Sequence, residues 1–381
     1  MYKMQLPESK TIETSKIAGI FLNVTNSYKY YFFIAILYIL QKRACSDQTL
    51  ALKGCKIEAK EIASTMLGLA WHAKTVYNLN FGTQDTLSAK IDILKGTLDI
   101  KEHLSSQAVI EQIRGSKDLP AIKKLLKDLL KYVPVKFLSP WTGSRKDTGP
   151  ENLEIGRLSC SPIINAPYRL NLNDGGTICL SIELYAHYCE YFLTNYPILM
   201  DFSYYNLAQY LQRLNLCTPN LLQKIIYQKD RDSMTAQRDI FTRFMQYHKS
   251  LQCIYTQKII DINNFALDHF MPWSFVAHNQ IWNLIPVEQS INSIKSNRIP
   301  NLDLYLKDFA KVHHALIKDF EDHKFKGLNT ANLETMKSYN TLGYSSKELS
   351  LMDDRSFYDT MLSVMKPLSV QALYSGFNLF G

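Results

Sequence analysis

Asp268, His269, Asn283 and Asn292 stand out in the largely apolar stretch at residues 265–300, FALDHFMPWSFVAHNQIWNLIPVEQSINSIKSNRIP. Asp268 and His269 stand side by side, Asn283 follows fourteen positions after His269, and Asn292 follows nine positions after Asn283. A carboxylate and amide oxygens are the hard donors that small divalent cations prefer. An imidazole with its ordinary pKa near 6.5 is mostly neutral at pH 7 and can take up a proton. Each residue alone is unremarkable: an Asp-His pair is common, a lone Asn caps loops, and a polar residue on a helix usually faces water.

The local pattern says which elements must position them. Residues 253–257, CIYTQ, have the alternation and β-propensity of a strand, and 258–264 supply turn residues for a hairpin into a second strand at 265–271. Asp268 and His269 are neighbours on that second strand, so an ideal strand sends their side chains to opposite faces. A twist or bulge near Pro272 is expected to bring both toward one cleft. A loop with His278 and Trp282 then leads to a short helix over 287–296, which sets Asn292 and Lys295 one turn apart on one side. The expected order is strand, strand, loop, helix.

Residues 268–300 resemble the His-Asn-His (HNH) nucleases and their ββα-metal motif. The resemblance rests on Asp268-His269, Pro272-Trp273, Trp282-Asn283-Leu284 and the run Asn292, Lys295, Ser296, all in order. The sequence is similar to members that keep Asp-His first and Asn in the middle and third positions. A weaker resemblance, in the run NSYKYYFF from Asn26, links the N-terminal part to helical portions of bacterial proteins that end in such a domain.

The resemblance implies His269 as the general base that deprotonates water, and Asp268 and Asn292 as protein ligands of one divalent cation. It implies Asn283 as support for the loop and for the orientation of His269. Asn rather than His in the third position favours Mg²⁺ or Mn²⁺ over zinc. Lys295 and Arg298 are added as phosphate contacts on the strength of their charge. The implied activity is endonucleolytic hydrolysis of DNA to 5′-phosphate and 3′-hydroxyl ends, in a bacterial restriction-like or anti-phage setting. The alternatives are an inactive nucleic-acid-binding or scaffold protein, and a nuclease of RNA or branched substrates. One site per chain makes a homodimer, or a partner protein that licenses cleavage, part of the expectation.

The rest of the chain is read as mainly α, with this small ββα module in its C-terminal half. Of its 381 residues, 46% are hydrophobic and 20% charged, a globular composition. Residues 1–131 read as basic helices with 19 Lys/Arg against 12 Asp/Glu, which is nearly all of the net +8. Non-specific phosphate contacts would fall there, though charged helix faces are ordinary. Residues 132–249 read as a Pro- and Gly-broken segment with short strands near 163–172 and a loop tip at 144–147, then aromatic-rich helices from 177 and a helix over 230–248 carrying Arg231, Arg238 and Arg243. Residues 250–326 read as the nuclease module with a long trailing helix over 304–325. Residues 327–381 read as turns followed by two short closing helices, 356–365 and 368–374.

The seven cysteines make no Cys-x-x-Cys pair, which argues against a zinc knuckle or disulfide framework and fits a reducing cytoplasm. No GxxxxGK[ST] or GxGxxG pattern occurs, and His313-His314 lacks the HExxH spacing. The apolar run at 30–40 is about half of the ~20 residues a membrane span needs. It reads as a buried core helix, with no targeting segment and no membrane association.

Overall fold

The computed structural model describes residues 5–22, 24–101, 104–143, 148–216, 218–226 and 232–381. The loop tip at 144–147 and Arg231 lie outside the described residues. Backbone packing divides the chain into two compact units, one of residues 1–216 with 221–229, the other of 217–220 with 230–381. Where the sequence suggested four segments, the division falls inside 132–249.

The first unit is built on α1 (Tyr28–Ala44), in which every residue from Tyr30 to Leu37 is buried. A helix apolar on all sides must be surrounded by protein. Asp85, itself buried, anchors the start of α1: its Oδ2 accepts from Ser27 N at 2.6 Å and its Oδ1 from Leu87 N at 2.9 Å. β1 (Cys55–Glu58) leads directly into α2 (Ala59–Thr75), where Trp71 and His72 are both buried. β2 (Tyr168–Leu172) and β3 (Cys179–Leu184) complete an antiparallel sheet in the order β1-β3-β2. This sheet corrects the sequence reading, which ran helix through 57–58 and 179–184. Strands of four to six residues carry too few alternations to outweigh helical neighbours. No described helix is long and apolar enough to cross a membrane.

The second unit begins with α3 (Thr235–Tyr247) and holds the hairpin β4 (Phe265–His269) and β5 (Leu284–Glu288), with α4 (Gln289–Lys295) directly after it. A mainly α chain with a small ββα module is thus what folds, but its first strand is β4. Residues 253–257, expected as a strand, form turns, with one isolated bridge between Gln252 and Ile259. The second strand is Leu284–Glu288, which spans the end of the stretch read as loop and the first two residues of the expected helix over 287–296. Pro286, which has no N–H to give to a ladder, pairs with Leu267 in a two-stranded ribbon whose β5 is buried almost throughout.

After α4, the two-residue strand β6 (Ile299–Pro300) precedes α5 (Leu302–Glu321), and α6 (Asp354–Tyr374) precedes β7 (Leu379–Phe380). β6 and β7 pair in parallel, so the chain's end clasps the segment leaving α4. α6 is one helix with Pro367 inside it, not the two short helices expected from the sequence. Residues 327–345, read as turns, include the helix Thr330–Lys337, closed at its start by a reciprocal capping box between Asn329 and Asn332. The core of this unit gathers Phe241 and Phe244 from α3, Phe270 stacked on Phe309 at 4.0 Å, and Phe357, Met361 and Met365 from α6.

His313 of α5 is sealed in this core, with Nδ1 at 2.5 Å from the Tyr339 hydroxyl. Burial pushes its imidazole down to about 3, partly opposed by the Leu284 backbone. The unfolded chain takes up this proton below about pH 6.5 and the folded chain does not, so stability is fully present above 6.5 and falls as the pH drops toward 3. Urea unfolding should therefore lose up to about 2 kcal/mol from this group between pH 7 and pH 5. The loss should shrink by that amount in His313→Gln; an identical pH dependence in parent and variant would contradict the assignment.

Candidate functional site

β4 and β5 pair in regular antiparallel register, with Asp268 opposite Ile285 and His269 opposite Leu284. No bulge interrupts the ladder, which ends at His269, three residues before Pro272. The two neighbouring side chains part company, as strand alternation requires: Asp268 turns inward and His269 meets the loop between the strands.

Asp268 is only 3% exposed. Its Oδ1 accepts from Lys295 Nζ at 3.0 Å and its Oδ2 from the Tyr255 hydroxyl at 2.8 Å. Lys295 Nζ also donates to the backbone oxygen of His269 at 2.8 Å, and Lys295 is 0% exposed. Burial pushes the Asp268 carboxyl up and the Lys295 ammonium down, and each partner pulls the other back toward its charged form. Lys295, expected at the surface as a phosphate contact, is instead the internal counter-ion that joins α4 to β4. Lysine was read as exposed because it rarely enters a core unpaired; here Asp268 is the pair.

Tyr255 was missed as a functional residue. Its ring packs edge-on to Tyr305 at 4.9 Å and Phe380 at 5.4 Å, which holds the hydroxyl against the carboxylate. Burial first, then the nearby Asp268, drives the phenol well above its ordinary pKa, so it remains a donor.

His269 is half-buried, and its Nε2 lies 2.9 Å from Asn279 Oδ1. Asn279 was also missed, one position after His278 in a run with no obvious pattern. Asn283 is fully buried and clasps the chain just past β4: its Oδ1 accepts from Met271 N at 2.8 Å and its Nδ2 donates to Met271 O at 2.9 Å. Its own backbone oxygen accepts from Phe270 N at 2.8 Å. His278 is half-buried beside the Trp282 ring at 5.3 Å.

Asn292 is half-buried on α4, three positions before Lys295 and hence on the same side of the helix. Arg298 lies just beyond α4. Its Nε donates to Lys295 O at 3.3 Å, another of its nitrogens bonds Ile294 O, and the guanidinium sits 4.9 Å over the Phe380 ring. It therefore caps the negative end of the helix, a role its charge did not reveal.

Among the described residues no group of three or more His, Cys, Asp and Glu side chains forms a metal cage. The two ligands that the resemblance implies, Asp268 and Asn292, would offer one carboxylate and one amide oxygen. Each Asp268 oxygen accepts a single hydrogen bond, which leaves lone pairs on both. Two such oxygens would suit a hard divalent cation that retains water better than zinc, which favours nitrogen and sulfur ligands.

Residues 253–301 match the family profile of the HNH endonucleases, over the span that holds Tyr255, β4, β5 and α4. No curated protein and no solved structure matched the chain. The matched span is a minor part of the chain, so it identifies a domain.

If the Asp268–Lys295 pair is an internal seam of this kind, Lys295→Met should destabilise the second unit by about 3–5 kcal/mol, because it strands a buried carboxylate. Replacing both partners (Lys295→Met with Asp268→Leu) should recover most of that loss. Chemical denaturation checks this; additive losses in the double variant would contradict a coupled pair.

Proposed function

Since the chain carries an HNH endonuclease domain at 253–301, we propose that it hydrolyses phosphodiester bonds of DNA, with His269 as general base and Asp268 and Asn292 as the ligands of one Mg²⁺ or Mn²⁺. The observation that carries this reading is the coincidence of the family match with one hairpin-helix unit that bears all three residues. The bound cation would supply charge stabilisation at the phosphate and at the departing 3′ oxygen.

The remaining work falls to the chain's own side chains. His269 takes the proton of the attacking water, which aligns with the phosphorus opposite the leaving oxygen. Lys295 and Tyr255 hold the Asp268 carboxylate anionic and fix its direction. Asn283 fixes the exit of β4, and with it the height of His269 above the hairpin. Arg298 keeps donors beyond those spent on the helix end, and these reach toward a phosphate in this reading. The basic residues of 1–131 supply sequence-independent backbone contacts. A restriction-like or anti-phage role in bacteria belongs to the same proposal and rests on the resemblance alone.

Plasmid DNA should be nicked or cut with Mg²⁺ or Mn²⁺, and EDTA should stop the reaction. His269→Ala should lower the rate at least ~10²-fold while DNA affinity persists. Equal rates in parent and variant would refute the base assignment. DNA binding by the parent without cleavage would favour a scaffold, and cleavage confined to RNA or branched DNA would move the substrate.

A further inference from the structure

Asn279 has two polar ends, and both are engaged. Its Nδ2 donates to the backbone oxygen of Asp232 at 2.8 Å, and its Oδ1 lies 2.9 Å from His269 Nε2. A carbonyl oxygen can only accept, so the amide nitrogen must face Asp232 and the amide oxygen must face the ring. An amide oxygen cannot donate. The hydrogen of this contact therefore sits on His269 Nε2, and in the neutral ring the basic lone pair belongs to Nδ1.

The loop that presents Asn279 is braced along its length. Ala277 holds a left-handed conformation at φ 54°, which a residue with a Cβ adopts only under strain. Asn220 Nδ2 donates to Val276 O at 2.9 Å, and Gln237 Nε2 donates to Asn279 O at 2.9 Å. Gln280 Oε1 accepts from Trp282 Nε1 at 2.6 Å, and Ile281 N donates to Ser338 Oγ at 3.3 Å. Strain kept in place by this many partners marks a conformation the surroundings impose, and its product is a fixed position for one amide oxygen.

We infer that Asn279 is the positioning residue of the base: through the Asp232 carbonyl and its own amide it sets the tautomer of His269, so that Nδ1 is the atom that accepts the proton of water. The inference rests on the reading of His269 as the base, but the ring's tautomer can be read without metal or DNA. Asn279 itself touches no reacting atom.

The test uses the full-length protein with ¹⁵N-labelled histidine, in the absence of divalent metal, at a pH where the ring is neutral, with His269→Ala to assign the signals. The parent should give a protonated, pyrrole-type Nε2 and an unprotonated, pyridine-type Nδ1. Asn279→Leu should lose that preference and show both tautomers, while Asn279→Asp, which keeps an acceptor facing Nε2, should restore it. In cleavage assays kcat should fall about ten-fold or more in Asn279→Leu with KM little changed, and should recover in part in Asn279→Asp. A parent ring protonated on Nδ1, or one tautomer unchanged in Asn279→Leu, would overturn the inference whether or not the protein cuts DNA. The expected tautomers in a protein that cuts nothing would leave the positioning intact and remove the nuclease reading.

Discussion

The ammonium of Lys295 and the carboxylate of Asp268, 3.0 Å apart and both out of water, are the contact on which the hairpin-helix unit depends. Neither group could be buried alone, since desolvating a single charge costs several kcal/mol. Their pairing therefore dictates that the last turn of α4 lies against the end of β4. The same ammonium also bonds the His269 carbonyl, so one side chain fixes the backbone of both residues of the Asp-His pair. The chain beyond α4 protects this arrangement: Arg298 closes the helix end, and the parallel pairing of β6 with β7 pins the outgoing segment.

Two asparagines carry that order from the seam to the imidazole. Asn283 gives both halves of its amide to Met271, which leaves the turn beyond His269 no freedom. Asn279 gives one half to Asp232 and the other to His269. The amide suits both jobs because it donates and accepts in one rigid plane. A carboxylate would lack the donor, and an apolar side chain in place of Asn283 would leave the buried backbone groups of Met271 without this partner. If His269 is the base, as proposed, a ring set this firmly on a strand end has little reorganisation left before proton transfer.

The reach of each interaction decided which residues were legible in the sequence and which were hidden. Asp268, His269, Asn283 and Asn292 drew notice as polar residues in an apolar stretch, and only the family resemblance attached roles to them. Helix spacing alone put Asn292 and Lys295 on one side of α4. The direction in which Lys295 points was not legible, since burial of a lysine depends on a carboxylate 27 positions earlier. Asn279 was hidden for the same reason: the group that orients it lies 47 positions back, at the entry to the unit. β5 was masked by Pro286, and Tyr255 by a run whose β-propensity is overridden by packing on Tyr305 and Phe380. In the first unit the helices were readable from apolar periodicity, whereas the sheet depends on β1 pairing with β3, more than a hundred positions away.

In the proposed reaction water, deprotonated at His269, attacks phosphorus and expels a 3′ oxygen. Cleavage of a defined DNA duplex in ¹⁸O-labelled water, with mass analysis of both product ends, tests it most directly. The new 5′-phosphate should carry one ¹⁸O, and the 3′-hydroxyl none. Label in a 3′-phosphate, or ends that carry no label, would contradict it.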